Sequence, residues 1–456
     1  MKKIILGLFS VACLGLASCE KLLDKLPTDA QPGEDVLKSS ANVLSVLSAS
    51  YNSFTSNNFL GGQVKTTAEL YGDQINFVNV TGGAPAQFVT RTFNTFNQIG
   101  RDIWSTGYIA IARANVVLKA INENSFTDTT DAVKKIWQGE ALFIRGVSHF
   151  ELVRLYAKPY TSSPETNPGV VLRLKALTAT EAQQAQPRNT VKDTYASVIE
   201  DLKQAESLLP TTNSVRATKW AAKAYLARVY FNMGDYINAF AYANDVINNS
   251  GYVLGTDVKS PFNTVGNLNT LPAGVVYLAL GDAGNLRGNF FNLNANNTFL
   301  PISPALFSII NSRGGTRATQ LTVTTTNAPP RGISLKYSLL GDNAVNVPVI
   351  RLSEMYLIRA ESRVQNGGFT DAAVRADYNA VRAVAGIAAD NATTGASALL
   401  SAIRTERSVE LFTEGDGYHE LRRLKQPIRS IAFDDAAGLL KIPDGEVRVN
   451  LNIVQN

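Results

Sequence analysis

Two segments, NMGDYINAFAYA (Asn232–Ala243) and QNGGFTDAAVRA (Gln365–Ala376), align without gaps at an offset of 133 residues. Gly234 pairs with Gly367, Tyr236 with Phe369, Ala239 with Ala372 and Ala243 with Ala376; upstream, Ala227 pairs with Ala360. An Ala-rich run closed by glycine and followed by an aromatic is the pattern of a tetratricopeptide-type hairpin. Small residues let two helices approach, glycine ends the first, and the aromatic plugs the turn. Coincidence among Ala-rich helices is the competing explanation, and matches at both the turn and the packing positions favour a repeat. Such hairpins bury their faces only against neighbours, so the chain must supply at least three.

Further helical patterns supply them. Arg101–Ile121 carries Ile103, Trp104, Tyr108, Ile111 and Val117, mostly at three- and four-residue steps. Its partner runs from Asp131 to Tyr156, and Thr190–Leu209 opens on Asn189 or Thr190 as cap and closes at Pro210. The predicted fold is mostly α: a tetratricopeptide-like helical-repeat scaffold of about four helix pairs, with repeats at 101–250 and 347–414. Residues 51–100 and 251–346 lack helical periodicity and are rich in Asn, Gly, Thr and Phe. They read as irregular inserts, and loops of that length are usually functional.

The first 18 residues read as an export signal. Lys2 and Lys3 precede a short apolar run, Ile4–Leu16, too short to span a bilayer, and LASC (Leu16–Cys19) then resembles a bacterial lipobox. In that reading Cys19 is acylated, residues 19–50 form a lipidated leader and N-terminal segment, and one domain fills 19–456. Simple secretory cleavage near Ser18 is the alternative. The chain has two cysteines, and Cys13 leaves with the signal, so an internal disulfide or a Cys-based metal site is excluded. The 43 basic and 38 acidic residues nearly balance, with no basic block, which argues against a nucleic-acid partner.

Catalysis finds little support. The two histidines, His149 and His419, are far apart in sequence, and neither has a histidine at helical spacing for a metal site. No G-x-S-x-G elbow is present, and SRGGTR (Ser312–Arg317) lacks the Lys-Ser/Thr of a phosphate loop. RTERSVELFTEGDGYHELRRL (Arg404–Leu424) concentrates charge, with Glu410 and Glu414 four apart. A two-carboxylate glycosidase needs only two positioned acids; beyond this spacing nothing marks such a pair. No cofactor is expected.

Several segments together resemble the SusD/RagB family of nutrient-binding outer-membrane lipoproteins. They are GEALFIRGVSHFELVRLY (Gly139–Tyr156), QPRNTVKDTYASVIEDLKQAESLLP (Gln186–Pro210), VPVIRLSEMYLIRAES (Val347–Ser362), YNAVRAVAGI (Tyr378–Ile387), the charged run above, and KIPDGEVRVNLNIVQN (Lys441–Asn456). With the lipobox they span most of the chain in family order. The resemblance implies a non-enzymatic binding protein, anchored in the outer membrane and facing the cell exterior. It would capture a nutrient, usually an oligosaccharide, and hand it to a SusC-like TonB-dependent transporter. A peptide ligand, or a tetratricopeptide lipoprotein that scaffolds outer-membrane assembly, is the alternative. The charged run departs from the family at Gly417, Glu420 and Leu424, and reads as scaffold: Glu406, Arg407 and Glu410 would pair among themselves or with Arg351 and Glu354.

Trp104, Trp137 and Trp220 fall in helical patterns, so a sugar platform would have to be Tyr or Phe. Interleaved aromatics and amides suit neutral carbohydrate, rings for stacking and amides for paired hydroxyls. Candidates are Tyr71, Asp73, Asn76 and Phe77 in YGDQINFVNV; Arg91, Phe93, Asn94, Phe96 and Asn97 in FVTRTFNTFNQ; and Phe291, Asn292 and Asn294 in GNFFNLNANNTF. The resemblance favours Phe93, Asn94, Phe96 and Asn97, just before the first helix pair. Inward packing of Phe88, Phe93 and Phe96, with Asn serving turns, is the alternative.

Overall fold

A computed structural model describes residues 37–72, 74–76, 83–262, 264–266, 268–281, 301–326, 329–337 and 345–456. Cys19, Asp73, Phe77, Phe291, Asn292 and Asn294 lie outside the described residues.

Among the described residues the α-helices of six residues or more are Ser40–Phe54 (α1), Gln63–Tyr71 (α2), Gly83–Thr90 (α3), Gln98–Asn122 (α4), Asp131–Tyr156 (α5), Val191–Leu208 (α6), Lys219–Met233 (α7) and Tyr236–Asn249 (α8). They continue with Pro304–Arg313 (α9), Gly315–Gln320 (α10), Leu352–Gln365 (α11), Asp371–Val384 (α12), Ala396–Glu410 (α13), Gly417–Arg423 (α14) and Asp444–Val449 (α15). Side-chain caps start most of the long ones. Asn97, Thr130, Thr190, Thr218, Asp235 and Thr370 each accept a hydrogen bond from a backbone N–H in the first turn.

Packing is serial: α1 on α4, α4 on α5, α5 on α6, α6 on α7, α7 on α8, α8 on α11, and α11 on α12 and α13. One hydrophobic core runs through this stack, and a second cluster sits beneath α11 to α13. The fold is the mostly helical, tetratricopeptide-like scaffold expected. Two small antiparallel ladders join it, Val275–Ala279 (β1) with Val347–Arg351 (β4) and Thr322–Thr324 (β2) with Gly332–Ser334 (β3).

The repeat holds, but its register slips. Ala227 and Ala360 are both buried, and Gly234 and Gly367 both take positive φ, +79° and +74°. Beyond the turn, the buried positions of α8 are Ala239, Ala243 and Val246, whereas those of α12 include Val374, Tyr378 and Val381. The second hairpin starts its return helix two residues later, after Gly368 and Phe369, and Thr370 caps it. Ala372 and Ala376, paired with Ala239 and Ala243 in the ungapped alignment, consequently face solvent.

The stretch 51–100 is more helical than its composition suggests. It contains the end of α1 and all of α2 and α3, and α9 and α10 lie within 251–346. Helix α2 escapes periodicity because eight of its nine residues are buried, among them Lys65, Thr66, Thr67 and Glu69. A helix enclosed on all sides shows no apolar stripe.

Candidate functional site

Helix α2 ends at Tyr71, whose ring is fully buried. It lies 5.2 Å from Tyr418 in a stacked pair, 5.2 Å from Phe88 and 5.1 Å from Phe93. Tyr71 is therefore a packing residue under the loops, not a ligand surface. Just beyond it the chain forms a short bridge: Ile75 pairs with Ile302, the Asn76 N–H donates to the Pro301 carbonyl at 2.8 Å, and the Ser303 N–H donates to the Gln74 carbonyl at 2.8 Å. Two inserts more than two hundred residues apart thus meet at Gln74–Asn76 and Pro301–Ser303.

The segment after α3 hangs from the same place. Arg91 takes a positive φ of 56° and donates from Nη2 to the Tyr71 carbonyl at 2.9 Å, with its guanidinium 5.4 Å from the Tyr71 ring. The half-buried Phe93 packs edge-on against Phe88 at 4.4 Å. Asn94 is exposed, and its Oδ1 accepts from the Phe96 N–H at 2.9 Å. That turn presents the Phe96 ring to solvent, 67% exposed. Asn97 is buried and caps α4, accepting from Gly100 N–H at 3.1 Å while Nδ2 donates to the Ala84 carbonyl and Gln87 Oε1. It is a helix cap rather than a contact residue. Asn76, Asn94 and Phe96 are the described candidates that face solvent, and Arg91 and Phe93 form the wall behind them. Gln74 and Gln87, which help hold these loops, carried no signal in spacing or composition.

Beneath the loops lies the charged run. Gly72 and Gly417 come so close that a Cβ on Gly72 would sit 2.9 Å from the Tyr418 nitrogen, and one on Gly417 would sit 2.6 Å from Gln74 Cδ. Glu69 Oε1 accepts from Gly415 N–H at 2.6 Å, and Lys65 Nζ donates to the Glu414 carbonyl at 3.1 Å. Glu414 binds Lys336 and Arg351, each at 2.6 Å. Glu410 binds Arg351 at 2.5 Å and Arg317 at 2.7 Å; Glu406 binds Arg313 and Arg317, each at 2.7 Å. Arg407 reaches Asp416 at 2.6 Å and Glu354 at 3.6 Å. The pairing of this run with Arg351 and Glu354 is as expected; Arg313, Arg317 and Lys336 are partners that the sequence did not suggest.

Burial and pairing pull these groups in opposite directions. Burial raises Glu414, but Arg351 and Lys336 outweigh it and hold the carboxyl down at about 2. Glu69 lacks such a counterion, its Oε2 has no hydrogen-bond partner, and burial pushes it up to about 8. A polar cavity of about 40 Å³ lies in this interior, lined by Lys65, Glu151, Arg154, Glu354, Asp416 and His419 among others, with room for very little water. His419 lies in α14, is buried against Tyr418 at 5.1 Å, and is held well below its ordinary pKa by burial and by Arg154, Arg422 and Arg228. His149 is a core residue whose Nε2 accepts from the Arg173 N–H at 3.3 Å, and burial lowers it to about 3. Trp104 and Trp220 are buried, and Trp137 stacks on Phe126 at 6.1 Å.

Among the described residues no group of three or more His, Cys, Asp or Glu is placed to hold a metal ion, and no helix is long and apolar enough to cross a membrane. The arrangement offers a mixed aromatic and amide surface on a rigid support, suited to stacking and hydrogen bonding.

A family profile described as "Starch-binding associating with outer membrane" matches residues 18–231, and another, described as "SusD family", matches residues 336–432. A SusD-like protein of Formosa agariphila is 29% identical over 245 residues, covering 53% of this chain and 45% of that protein, so the match spans less than half of that relative. Among solved structures, a SusD superfamily protein from Bacteroides thetaiotaomicron superimposes with a TM-score of 0.80 at 22% identity, covering 91% of this chain and 99% of that one. A laminarin binding SusD-like protein gives 0.71 at 20% identity, covering 92% and 99%. The two profiles, matching residues 18–231 and 336–432 in order along the chain, place this protein in the SusD/RagB family.

Proposed function

We propose that the chain is a cell-surface binding lipoprotein, anchored through Cys19. It captures an oligosaccharide and delivers it to a SusC-like TonB-dependent transporter in the outer membrane. The observation that carries this reading is the exposed loop at Asn94 and Phe96. The Phe96 ring is open to solvent on a turn that the Asn94 amide closes, next to a base locked by Tyr71, Phe88 and Phe93. Such a ring offers a flat π-face for a pyranose, and Asn offers both a donor and an acceptor to vicinal hydroxyls. The matching profile's association with starch and the outer membrane, and the laminarin binding relative, support the same reading. Binding, not chemistry, is what this surface offers.

The test is a glycan-panel screen of the soluble chain beginning at Glu20, with α-glucans and laminarin-type β-glucans as the first probes. Phe96→Ala is expected to weaken glycan binding by about fivefold, in line with roughly 1 kcal/mol for a stacking contact. Asn94→Ala should cost several-fold through loss of the turn. Neither should shift the melting temperature by more than about 2 °C, because both side chains lie outside the core. If no glycan binds and peptides do, the oligosaccharide reading fails. A bound glycan indifferent to Phe96→Ala would move the site elsewhere.

A further inference from the structure

A surface groove of about 1300 Å³ lies between α1, α4 and α5 and residues 174–181. It is remote in sequence from the loops above, and the proposed glycan surface leaves it unused. Its floor is apolar, with Val46, Val116, Leu118 and Leu142, and its far wall carries Leu174 and Leu177. Leu174 is 47% exposed, an unusual position for a large apolar side chain facing a groove. The basic lining residues are Lys38, Lys119, Arg145 and Lys175, against Glu123 and Glu181.

Leu37, the first described residue, itself lines this groove, and so does Lys38. Their course is fixed just downstream, where Ser40 donates to Asp128 Oδ1 from its backbone N–H at 2.8 Å and to Oδ2 from its hydroxyl at 2.9 Å. The described chain therefore begins at the groove. The preceding segment, EKLLDKLPTDAQPGEDV (Glu20–Val36), holds Leu22, Leu23 and Leu26. It carries five acids, Glu20, Asp24, Asp29, Glu34 and Asp35, against Lys21 and Lys25. Of the basic lining residues, Lys119 pairs with Glu123, Lys175 with Glu181 and Arg145 with Asp201, so the complementarity that counts is apolar: three leucines in the segment and leucines on the groove wall. At about 3.3–3.6 Å per residue, a segment of this length can reach roughly 56–61 Å.

We infer that this groove seats the chain's own leader, with the leucines of Leu22–Leu26 against the Leu174 and Leu177 wall. Docking has a mechanical consequence that rests on the anchor proposed above. A free leader from Cys19 to Leu37 would let the body stray up to about 60 Å from the membrane. A docked one leaves only the few residues next to Cys19 as tether, and holds the helical face close to the bilayer.

The experiment uses the soluble chain beginning at Glu20, which has no native cysteine and whose result does not depend on lipidation or on any glycan. Nitroxide labels at Thr28→Cys in the leader and Gln204→Cys on the groove rim are read by double electron–electron resonance. One narrow distance distribution is expected, broadening when Leu22, Leu23 and Leu26 are changed to Ser and, separately, with Leu174→Asp. Leu174 is half exposed, so the fold should survive that change, and circular dichroism with an unchanged melting temperature checks it. A broad distribution in the unaltered leader overturns the inference, as does a narrow one indifferent to Leu174→Asp. Sedimentation showing a dimer that Leu174→Asp dissolves would give the groove to a second copy and overturn it equally.

Discussion

Glu410→Gln is expected to lower the unfolding free energy by about 3–5 kcal/mol and to leave glycan affinity of the folded protein within twofold, both measurable by urea denaturation and titration calorimetry. The carboxylate is the hub of a buried array, with Oε1 on Arg351 at 2.5 Å and Oε2 on Arg317 at 2.7 Å. Its backbone carbonyl accepts from Lys336 Nζ at 2.7 Å and Arg351 Nη2 at 2.9 Å. Burial alone would raise its pKa, yet Arg351, Arg317 and Lys336 overrule burial and hold it below the ordinary value. An amide in that place keeps the volume but points an NH₂ at a guanidinium, leaving two buried cations short of charge. The exposed pair Lys119–Glu123 provides the contrast, because breaking a surface pair costs under about 1 kcal/mol. A cost at Glu410 no larger than at Lys119 would show that the array does not hold the fold. Loss of a catalytic turnover would show that the charged run is a site after all.

The second large effect is a loss of stability carried by Glu69 as pH rises toward 8. Glu69 is raised to about 8 by burial, despite the Gly415 N–H and the nearby Lys336, with Asp416 and Glu414 adding to the rise. A carboxyl raised in the folded state contributes stability that is intact below its unfolded pKa and lost as pH climbs to the folded value. Between pH 4.5 and 6.5 this loss is masked. Asp416, raised to about 6 by burial, adds to it, but His149, lowered to about 3, and His419, also lowered, gain stability over the same range. Between pH 6.5 and 8 the Glu69 loss comes to about 2 kcal/mol, but the unfolded histidines are still losing protons and Lys65 and Lys336, both lowered to about 8 by burial, begin to do so in the fold, so in the whole protein it is largely offset. Above pH 8 the lysines are neutral in the fold while still charged unfolded, and stability rises until about pH 9. Beyond that, buried tyrosines such as Tyr51, Tyr71 and Tyr277, raised by burial, ionise only in the unfolded chain and lower it again. Comparison with Glu69→Gln isolates the Glu69 contribution: from pH 6.5 to 8 the stability of wild type should fall by about 2 kcal/mol relative to the variant, as read from urea midpoints at half-unit steps. A difference that stays constant from 6.5 to 8 would mean Glu69 is ionised in the fold.

These two effects share one architectural cause. Helix α2 runs inside the protein and brings Lys65 and Glu69 against the turn Glu414–Gly417, so the segment that supports the loop surface is bolted to the charged array.

Much of the scaffold was legible because it is written locally. Thr190 caps α6 as its position predicts, and Gly234 and Gly367 adopt left-handed turns for which only glycine is suited. The aromatic and amide loops were legible as composition, and Asn94 and Phe96 do face solvent. Tyr71 and Asn97 were not separable from them, since residue type does not tell whether a ring stacks on Tyr418 or an amide caps a helix.

By itself the sequence determined the helical repeats, their caps and turns, and the family signature, because each depends on residues within a few positions of one another. Tertiary structure alone decided the rest. It slipped the second repeat by two residues, drove α2 into the interior, gave Glu410 and Glu414 the cations Arg317 and Lys336, and joined Gln74–Asn76 to Pro301–Ser303. Those contacts link positions tens to hundreds of residues apart. A buried ion pair or a two-residue bridge requires shape and charge to match across the fold, and imposes no period on the chain that forms it.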